Sequence, residues 1–281
     1  MAELIHKEEC YAIMGACFEV YKELGAGLHE SVYHESLIHE FTQRGIPAHS
    51  QPQLPLHYKG VQLAQQIEPD FVIFGEVLLL LKAVEKLEDQ HLAQAISYLK
   101  ASGYTLVLLV NFSATPQLEW KRVVNTEAAT TTALARQQTS INNLKRIVND
   151  LEYKQECFTL MGACFEVYKE LGIGLKESIY HESLLIELTG QGIPHNSESH
   201  VPIYYKESKL THALRPDIMA YGNIILELKS VKALNDAHRS QIITYLKITK
   251  APLGLLINFS ALPRLQWERF VHTNKEVTKL T

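Results

Sequence analysis

The sequence predicts a mixed α/β fold that is present twice in one chain, and two observations carry this prediction. The segment MGACFEVYKELGAGLHESVYHESL at Met14 recurs as MGACFEVYKELGIGLKESIYHESL at Met161, an offset of 147 residues that holds without insertion to Trp120 and Trp267. Within each copy, stretches of helical periodicity precede and follow apolar stretches of β type. A repeat of this length indicates two duplicated globular domains rather than a solenoid of short repeats.

The first copy begins with two predicted helices. Apolar side chains recur at helical spacing over residues 7–24, and Gly25 and Gly27 end the pattern. A second helix is expected over residues 30–44.

Strand patterns follow these helices. Apolar or alternating runs predict strands over 54–58, 61–66, 71–74, 77–83 and 105–111, with a helix over 89–101 before the last one. The first two strands flank Lys59-Gly60 and are typical of a hairpin. With the hairpin counted as one element, we therefore expect the order α-α-β-β-β-α-β in each copy, with the second copy's elements 147 residues later.

The repeat also sets the expected domain boundaries. The first domain is predicted over residues 1–124 and the second over residues 153–281. Residues 125–152 between them are polar and contain no proline or glycine, which predicts a helical connector. A fused duplicate can imitate a homodimer within one chain, so we expect an internal pseudo-dimer and leave a homo-oligomer open.

The composition is that of an ordinary globular protein. The 281 residues are 46% hydrophobic and 21% charged, with a net charge of −4, which excludes a disordered, collagen-like or disulfide-stapled chain. No stretch reaches the roughly 18 apolar residues of a membrane span, and the charged N-terminus lacks the apolar core of a signal peptide. We therefore expect a cytoplasmic protein without a membrane partner.

The second copy contains two charged residues in an otherwise apolar strand. Alternate residues of a strand share one face, so Glu227 and Lys229 in the run Asn223-Ile-Ile-Leu-Glu-Leu-Lys point the same way. Burying two opposite charges is costly, and proteins usually retain such residues for a function. A structural ion pair on an edge strand is the alternative.

Asp217, at the end of the preceding strand, gives these residues a chemical interpretation. Its carboxylate could converge with that of Glu227 on a divalent cation, and oxygen ligands of this kind suit Mg²⁺ or Mn²⁺. A metal held by two carboxylates beside a lysine ammonium is suited to hydrolysing phosphodiesters, since the metal polarises the phosphate and acidifies water.

These residues resemble the PD-(D/E)XK nuclease superfamily. The Pro-Asp and Glu-x-Lys motifs and the α-β-β-β-α-β order are similar to its restriction-endonuclease-like core. The segment Gly174-Leu-Lys-Glu-Ser-Ile-Tyr180 resembles the signature of the GxxExxY branch, and Gln241-Ile-Ile-Thr-Tyr245 is similar to the Gln-x3-Tyr motif of RecB-like members. The resemblance covers each copy almost end to end.

The resemblance implies a role for each matching residue. Asp217 and Glu227 would be the metal ligands, and Lys229 would position the attacking water or stabilise charge. The same helix face would carry Gln241 and Tyr245 towards the site or the substrate phosphate. Glu177 would be a further acidic residue of the site, although a carboxylate in the first turn of a helix is also favoured by the helix dipole.

The first copy departs from this pattern at one metal ligand. Leu80 stands where the second copy has Glu227. Glu76 could in principle replace the missing acid, but it lies in what is predicted to be the turn before the strand. We therefore expect a degenerate first site, in which the remaining motif residues are Glu30, Asp70, Lys82, Gln94 and Tyr98.

Two function classes follow. The first is a metal-dependent nuclease with its active site in the C-terminal copy, acting on nucleic acid with DNA as the favoured substrate. The alternative is a non-catalytic module on a nuclease fold that binds nucleic acid or protein, with a purely structural protein as a third possibility.

The charge of the two halves bears on nucleic-acid binding. Residues 1–140 hold 10 basic and 16 acidic residues, and residues 141–281 hold 17 basic and 15 acidic residues. Neither half is strongly basic, so binding to nucleic acid should be modest and salt-sensitive.

Overall fold

The computed structural model describes residues 5–125, 153–197, 199–205, 208–273 and 277–280. The chain divides into two compact units, Met1–Ala129 and Thr130–Thr281. The predicted connector lies outside the described residues except for Asn125.

The first unit begins with two helices and continues with strands that enclose a third helix. Its helices are α1 (Lys7–Leu24), α2 (Glu30–Gln43) and α3 (Asp89–Ser102). Its strands are β1 (Ala48–Ser50), β2 (Leu54–Tyr58), β3 (Val61–Ile67), β4 (Phe71–Ile73), β5 (Val77–Lys82), β6 (Leu106–Asn111) and β7 (Glu119–Val124).

The second unit repeats this order and adds one strand, β15 (Val277–Leu280), after the last. Its helices are α4 (Lys154–Leu171), α5 (Glu177–Gly190) and α6 (Asp236–Thr249). Its strands are β8 (His195–Asn196), β9 (Val201–Tyr205), β10 (Ser208–Leu214), β11 (Ile218–Ala220), β12 (Ile224–Lys229), β13 (Leu253–Asn258), β14 (Gln266–His272) and β15 (Val277–Leu280).

Each unit has a mixed central sheet and a separate hairpin. The strand order is β1-β4-β5-β6-β7 in the first unit and β15-β14-β13-β12-β11-β8 in the second. Only the pairs β5/β6 and β12/β13 are parallel among the described ladders, and each is joined by a crossover helix, α3 or α6. The antiparallel pairs β2/β3 and β9/β10 stand outside the central sheets.

The first sheet is covered by helices on both faces. On one face, α1 and α2 pack on a buried set that includes Leu79 and Leu81 of β5. On the other face, Leu78 and Leu80 pack with Ala95 and Leu99 of α3. Strands covered on both faces carry continuous apolar runs, which is why the core strands are recognisable in the sequence.

The structure confirms the predicted mixed α/β fold in two tandem copies and adds strands that the sequence analysis did not anticipate. Helix α1 has the predicted bounds, and α2, α3 and the core strands agree with the predictions to within a residue or two. At the sheet edges, the additional strand β1 has only three residues and the additional strand β7 has no fully buried residue, so both lack the apolar pattern on which strand prediction depends. None of the described helices combines the length and the apolar composition needed to cross a membrane.

The contact between the crossover helix and the sheet is filled by a different combination of large and small residues in each unit. In the second unit Gly254 of β13 lies under Ile242, and a Cβ atom added to this glycine would come within 2.8 Å of the Ile242 Cδ1 atom. In the first unit the corresponding pair is Val107 and Ala95, both in the cluster beneath α3. The larger side chain therefore belongs to the helix α6 in the second unit and to the strand β6 in the first.

This exchange predicts a compensating pair of substitutions. Gly254→Val alone should lower the free energy of unfolding by about 1–3 kcal/mol because it overpacks the contact with Ile242. Ile242→Ala alone should cost about 2–4 kcal/mol because it leaves a cavity. The double variant should lose clearly less free energy of unfolding than the sum of the two single losses, since it recreates the first unit's combination of alanine on the helix and valine on the strand. Urea unfolding in a Trp120→Phe background would make Trp267 fluorescence the reporter, and strictly additive losses would contradict the proposed complementarity.

Candidate active site

The paired strands β11 and β12, which both lie inside the second unit's sheet, bring Asp217 and Glu227 together. Strands β11 and β12 pair antiparallel with Ile218 opposite Leu226, so the residue before β11 lies beside Glu227. The Asp217 Oδ2 atom accepts a hydrogen bond of 2.7 Å from the Leu228 backbone N–H. This bond fixes the Asp217 carboxylate against β12.

Glu227 and Lys229 lie on the same strand face, as the alternation of the sequence predicts. The Lys229 Nζ atom is 3.5 Å from the Glu227 Oε2 atom and 4.0 Å from the Glu177 Oε1 atom. The Glu227 side chain is fully buried, whereas 11% of the Lys229 side chain is exposed. Lys229 thus connects a buried carboxyl group to one that is reached by solvent.

Burial dominates the electrostatics of Glu227. Desolvation, followed by the nearby Asp217 carboxylate, raises the pKa of Glu227 from its ordinary value of 4.5 to about 8, although Lys229 acts in the opposite direction. In the described part of the chain, neither Glu227 carboxyl oxygen has a hydrogen-bond partner of good geometry. Buried carboxyl groups without partners are costly, so the site fits a cation that these oxygens could coordinate.

The donor set is suited to a hard divalent ion. Asp217 and Glu227 supply carboxylate oxygens, which Mg²⁺ and Mn²⁺ prefer. A cation bound there would also remove the repulsion between the two carboxylates that contributes to the raised pKa of Glu227.

Glu177 reaches the site from a helix N-terminus. It is the first residue of α5, and 45% of its side chain is exposed. Burial raises the pKa of Glu177, and the neighbouring Lys229 partly offsets this effect. Glu177 thus combines a place in the first turn of a helix, where the helix dipole favours a carboxylate, with a contact to Lys229.

Tyr180 holds the glycine-containing loop that precedes α5. Its hydroxyl donates to the Gly172 carbonyl at 3.0 Å and accepts from the Leu175 backbone N–H at 3.2 Å, while its ring stacks on Phe259. Tyr33 makes the equivalent bonds in the first unit, to Gly25 and Leu28. The tyrosine of the GxxExxY-like segment is thus a structural residue that fixes where Glu177 begins its helix.

Two serine hydroxyls join this loop to the ends of the parallel strands. The Ser230 Oγ atom donates to the Leu175 carbonyl at 2.6 Å and lies 2.7 Å from the Ser260 Oγ atom, which accepts from the Gly174 N–H. The first unit has Ala83 at the position of Ser230, so this hydroxyl link exists in the second unit and not at the equivalent place in the first.

His181 contacts the other side of the aspartate. Its Nε2 atom is 3.0 Å from the Asp217 backbone carbonyl oxygen, and His34 makes the same contact with Asp70 at 3.3 Å. Because His181 is one turn after Glu177 on α5, one helix face contributes a carboxylate and a contact to the strand that carries the aspartate.

Gln241 and Tyr245 lie on one face of α6 and interact with each other. The Gln241 side-chain amide donates to the Tyr245 hydroxyl at 3.3 Å. In the first unit, burial together with the Asp70 and Glu68 carboxylates raises the pKa of Tyr98 to about 12, which places this tyrosine near the motif aspartate. The described hydrogen bond of Gln241 joins it to Tyr245 and not to Asp217 or Glu227.

The first unit keeps the aspartate and the lysine of the site but lacks the buried glutamate. Asp70 Oδ2 accepts from the Leu81 N–H at 2.8 Å, as Asp217 does from Leu228. Burial raises the pKa of both Asp70 and Glu30, and Lys82 opposes the shift in each. Leu80 is buried in the apolar cluster beneath α3, so the position that carries Glu227 in the second unit is apolar in the first.

Glu76 does not replace the missing carboxylate. It precedes β5 and its Oε2 atom lies 3.1 Å from the His6 Nδ1 atom. Lys82 is at the other end of β5, and six residues of strand span about 20 Å. The carboxylate of Glu76 is therefore remote from Asp70 and Lys82.

Comparison with known proteins decides the family. A profile described as the PD-(D/E)XK nuclease superfamily matches residues 7–123 and 154–270, which together are more than half of the chain. The chain belongs to the PD-(D/E)XK nuclease superfamily. Each matched segment corresponds to one unit, in agreement with a tandem duplication.

Other comparisons add little to this assignment. The crystal structure of SSO0001 is similar over 51% of this chain and 75% of its own, with 18% sequence identity and a TM-score of 0.27, a value too low to support an argument. No curated protein matches the chain. Nucleases of this superfamily generally use divalent metal ions and act on nucleic acid. The expected divalent metal and the expected nucleic-acid substrate are therefore supported at the level of the superfamily.

An asparagine near the site of this superfamily member was missed by the sequence analysis. The Asn258 Oδ1 atom accepts hydrogen bonds from the Val231 and Ser260 N–H groups, which ties the end of β12 to the end of β13. Asn111 does the same in the first unit with Val84 and Ser113. Repetition of an asparagine after a buried strand in both copies was a usable signal, but short polar side chains after strands are common in turns.

The pKa of Glu227 predicts a specific pH dependence of stability. In chelator-treated protein the unfolded chain ionises this residue near its ordinary pKa of 4.5, whereas the folded chain does so only near 8. Stability is therefore lost as the pH rises between these values and then levels off. Glu227→Gln removes this loss, so the variant should become more stable than the parent by up to about 4–5 kcal/mol at pH 9, with little gap at pH 4.5.

The measurement is urea unfolding at a series of pH values in the presence of EDTA. Glu170→Gln is the matched control, because Glu170 is exposed on α4 and should show no such growing difference. A constant gap between parent and Glu227→Gln across the pH range would show that the carboxyl group of Glu227 ionises normally in the folded protein.

Proposed function

We propose that the chain is a divalent-metal-dependent nuclease of the GxxExxY branch, with its active site in the second unit. The observation that carries the proposal is the fully buried Glu227 carboxyl group, which has no hydrogen-bond partner in the described residues and lies 3.5 Å from the Lys229 ammonium. Asp217, fixed to Leu228 beside it, completes a pair of carboxylates suited to a metal.

Each side chain has a role in this proposal. Asp217 and Glu227 would hold Mg²⁺ or Mn²⁺, and a bound ion of this type supplies polarisation of the phosphate and acidification of water. Lys229 would orient the attacking water and offset negative charge that develops on the phosphate, since its ammonium faces both Glu227 and Glu177. Glu177 would act as a further acceptor at the solvent side.

Gln241 and Tyr245 would contribute from the crossover helix. Their mutual hydrogen bond presents an amide and a hydroxyl as one unit, and both groups can donate to a phosphate oxygen. We propose that they position the substrate rather than bind the metal, because neither side chain offers a carboxylate.

The substrate that we favour is DNA. Residues 141–281 carry 17 basic and 15 acidic residues, compared with 10 and 16 for residues 1–140, so the half with the complete acidic site is also the one that repels phosphate less. Weak net charge predicts modest affinity that falls with salt.

The first unit supports a second, non-catalytic function for that half of the chain. Leu80 removes a metal ligand, while Asp70 keeps its place immediately before β4 and Lys82 its place at the end of β5. We propose that this unit serves as a binding module and as the partner of an internal pseudo-dimer.

The proposal predicts metal-dependent cleavage that depends on the second unit. The purified chain should cleave plasmid DNA or RNA with Mg²⁺ or Mn²⁺ and not with EDTA. Glu227→Gln and Lys229→Met should each reduce the rate by about 100-fold or more, because they remove a metal ligand and a charge stabiliser. The rate would be followed by the loss of supercoiled DNA or of end-labelled RNA.

Lys82→Met is the matched control for this experiment. It removes the equivalent lysine from the unit that has Leu80, and cleavage should stay within a factor of two of the parent. If Lys229→Met and Lys82→Met preparations with intact folds cleave equally well, the assignment of the active site to the second unit is wrong.

A gain-of-function variant tests the degenerate site directly. Leu80→Glu, introduced into the inactive Glu227→Gln chain, restores the second carboxylate beside Asp70 and in line with Lys82. We expect part of the Mn²⁺-dependent cleavage to return, together with a lower stability in EDTA because a carboxyl group replaces Leu80 in an apolar cluster. The control is Leu80→Gln in the same background, which should remain inactive. A folded Leu80→Glu chain without any cleavage would mean that the first unit lacks more than one ligand.

A further inference from the structure

A second group of metal-ligating side chains lies in the first unit, away from the degenerate site. It consists of His6 at the N-cap of α1, Glu9 in the first turn of α1, and Glu76 in the turn between β4 and β5. One ligand atom from each residue lies within 4.8 Å of the others, and the His6 Nδ1 atom is 3.1 Å from the Glu76 Oε2 atom. The group therefore joins two parts of the chain that are about 70 residues apart.

The imidazole of His6 is oriented as in a metal ligand. Its Nε2 atom lies 3.3 Å from the hydroxyl oxygen of Thr105, the residue before β6, so the second ring nitrogen has a partner while Nδ1 faces the Glu76 carboxylate. Histidines that bind metals usually have their other ring nitrogen engaged in this way, which fixes the tautomer and the ring orientation. Only 19% of the His6 side chain is exposed, so the ring is also held by its surroundings.

The spacing of the ligand atoms suits a small coordination sphere. Bonds of about 2.0–2.2 Å to Zn²⁺ in tetrahedral geometry separate ligand atoms by roughly 3.3–3.6 Å. The separation of 3.1 Å between His6 and Glu76 is close to this, and Glu9 needs only a side-chain adjustment to reach it.

We propose that His6, Glu9 and Glu76 bind a divalent transition metal ion, of which Zn²⁺ is the best fit. One imidazole nitrogen with two carboxylates favours Zn²⁺, Co²⁺ or Ni²⁺ over Mg²⁺ and Ca²⁺, which prefer sites made of oxygen alone. Three protein ligands leave a further position for water. The ion would fasten the start of α1 to the turn before β5 and so stabilise the first unit.

This site is separate from the nuclease site in position and in residues. Glu76 precedes β5, whereas Lys82 ends it, about 20 Å away along the strand. The second unit has Tyr153, Glu156 and Asn223 at the three equivalent positions and so lacks two of the ligands. The proposal therefore does not depend on the nuclease activity.

The second unit also provides substitutions that the fold tolerates. His6 and Tyr153 occupy the same position before their helices with similar positive φ angles of 53° and 60°. His6→Tyr and Glu76→Asn thus replace the ligands with the residues that the same backbone carries in the other unit. Loss of metal binding in this double variant can be attributed to the ligands rather than to misfolding.

The experiment uses the full-length, untagged chain with Glu227→Gln, so that the carboxylate pair of the second unit does not contribute. After removal of metals with a chelator, Zn²⁺ is titrated by calorimetry, and Co²⁺ binding is followed by its visible absorption. We expect one Zn²⁺ per chain with a dissociation constant in the micromolar range or below and a rise of several degrees in the melting temperature of the first unit. Adding His6→Tyr and Glu76→Asn should weaken the affinity at least 100-fold and remove the temperature rise.

Two results would overturn the proposal. One is equal Zn²⁺ binding with and without the His6→Tyr and Glu76→Asn substitutions, which would place the ion on other histidines of the chain. The other is no Zn²⁺ binding at micromolar concentrations although the double variant is less stable in EDTA, which would mean that the three residues form only an ion pair.

Discussion

The burial of the Glu227 carboxyl group is the constraint on which the second unit's site depends. A carboxyl group that is fully buried beside a second carboxylate destabilises the folded chain unless a cation or a proton compensates its charge. Asp217 is bonded to the backbone of the same strand, and Lys229 alone does not bring the pKa of Glu227 back to its ordinary value. The arrangement lowers the stability of the folded chain where no cation is bound, and in the proposed function the same two carboxylates hold the divalent ion.

The surrounding structure keeps that arrangement rigid. The parallel pair β12/β13 fixes the strand that carries Glu227, and the Asn258 side chain ties the ends of these strands together. The hydroxyls of Ser230 and Tyr180 then fasten the loop from which Glu177 enters. Residues outside the group of acidic side chains therefore determine how precisely those side chains are placed.

The sequence predicted most of the fold because duplication supplies each pattern twice and because the core strands are covered on both faces. Glu227, Lys229 and Asp217 were also predictable, since charges in an apolar strand stand out. The contacts of Ser230 and His181 were not predictable, because a serine after a strand or a histidine on a helix has many ordinary explanations. The edge strand β7 was missed because none of its residues is fully buried, so its sequence has little periodic apolar signal.

The opposite packing of α3 and α6 has a consequence for how a chain with two nearly identical halves avoids confusing them during folding. If α6 docked on the first unit's sheet, Ile242 would meet Val107 and the contact would be overfilled; if α3 docked on the second sheet, Ala95 over Gly254 would leave a void. Each crossover helix therefore recognises its own sheet by shape. Recombination between the two repeats would combine the crossover helix of one unit with the sheet of the other, and the same mismatch would destabilise the product. A difference of a few methyl groups thus opposes both mispairing during folding and exchange of segments between the repeats.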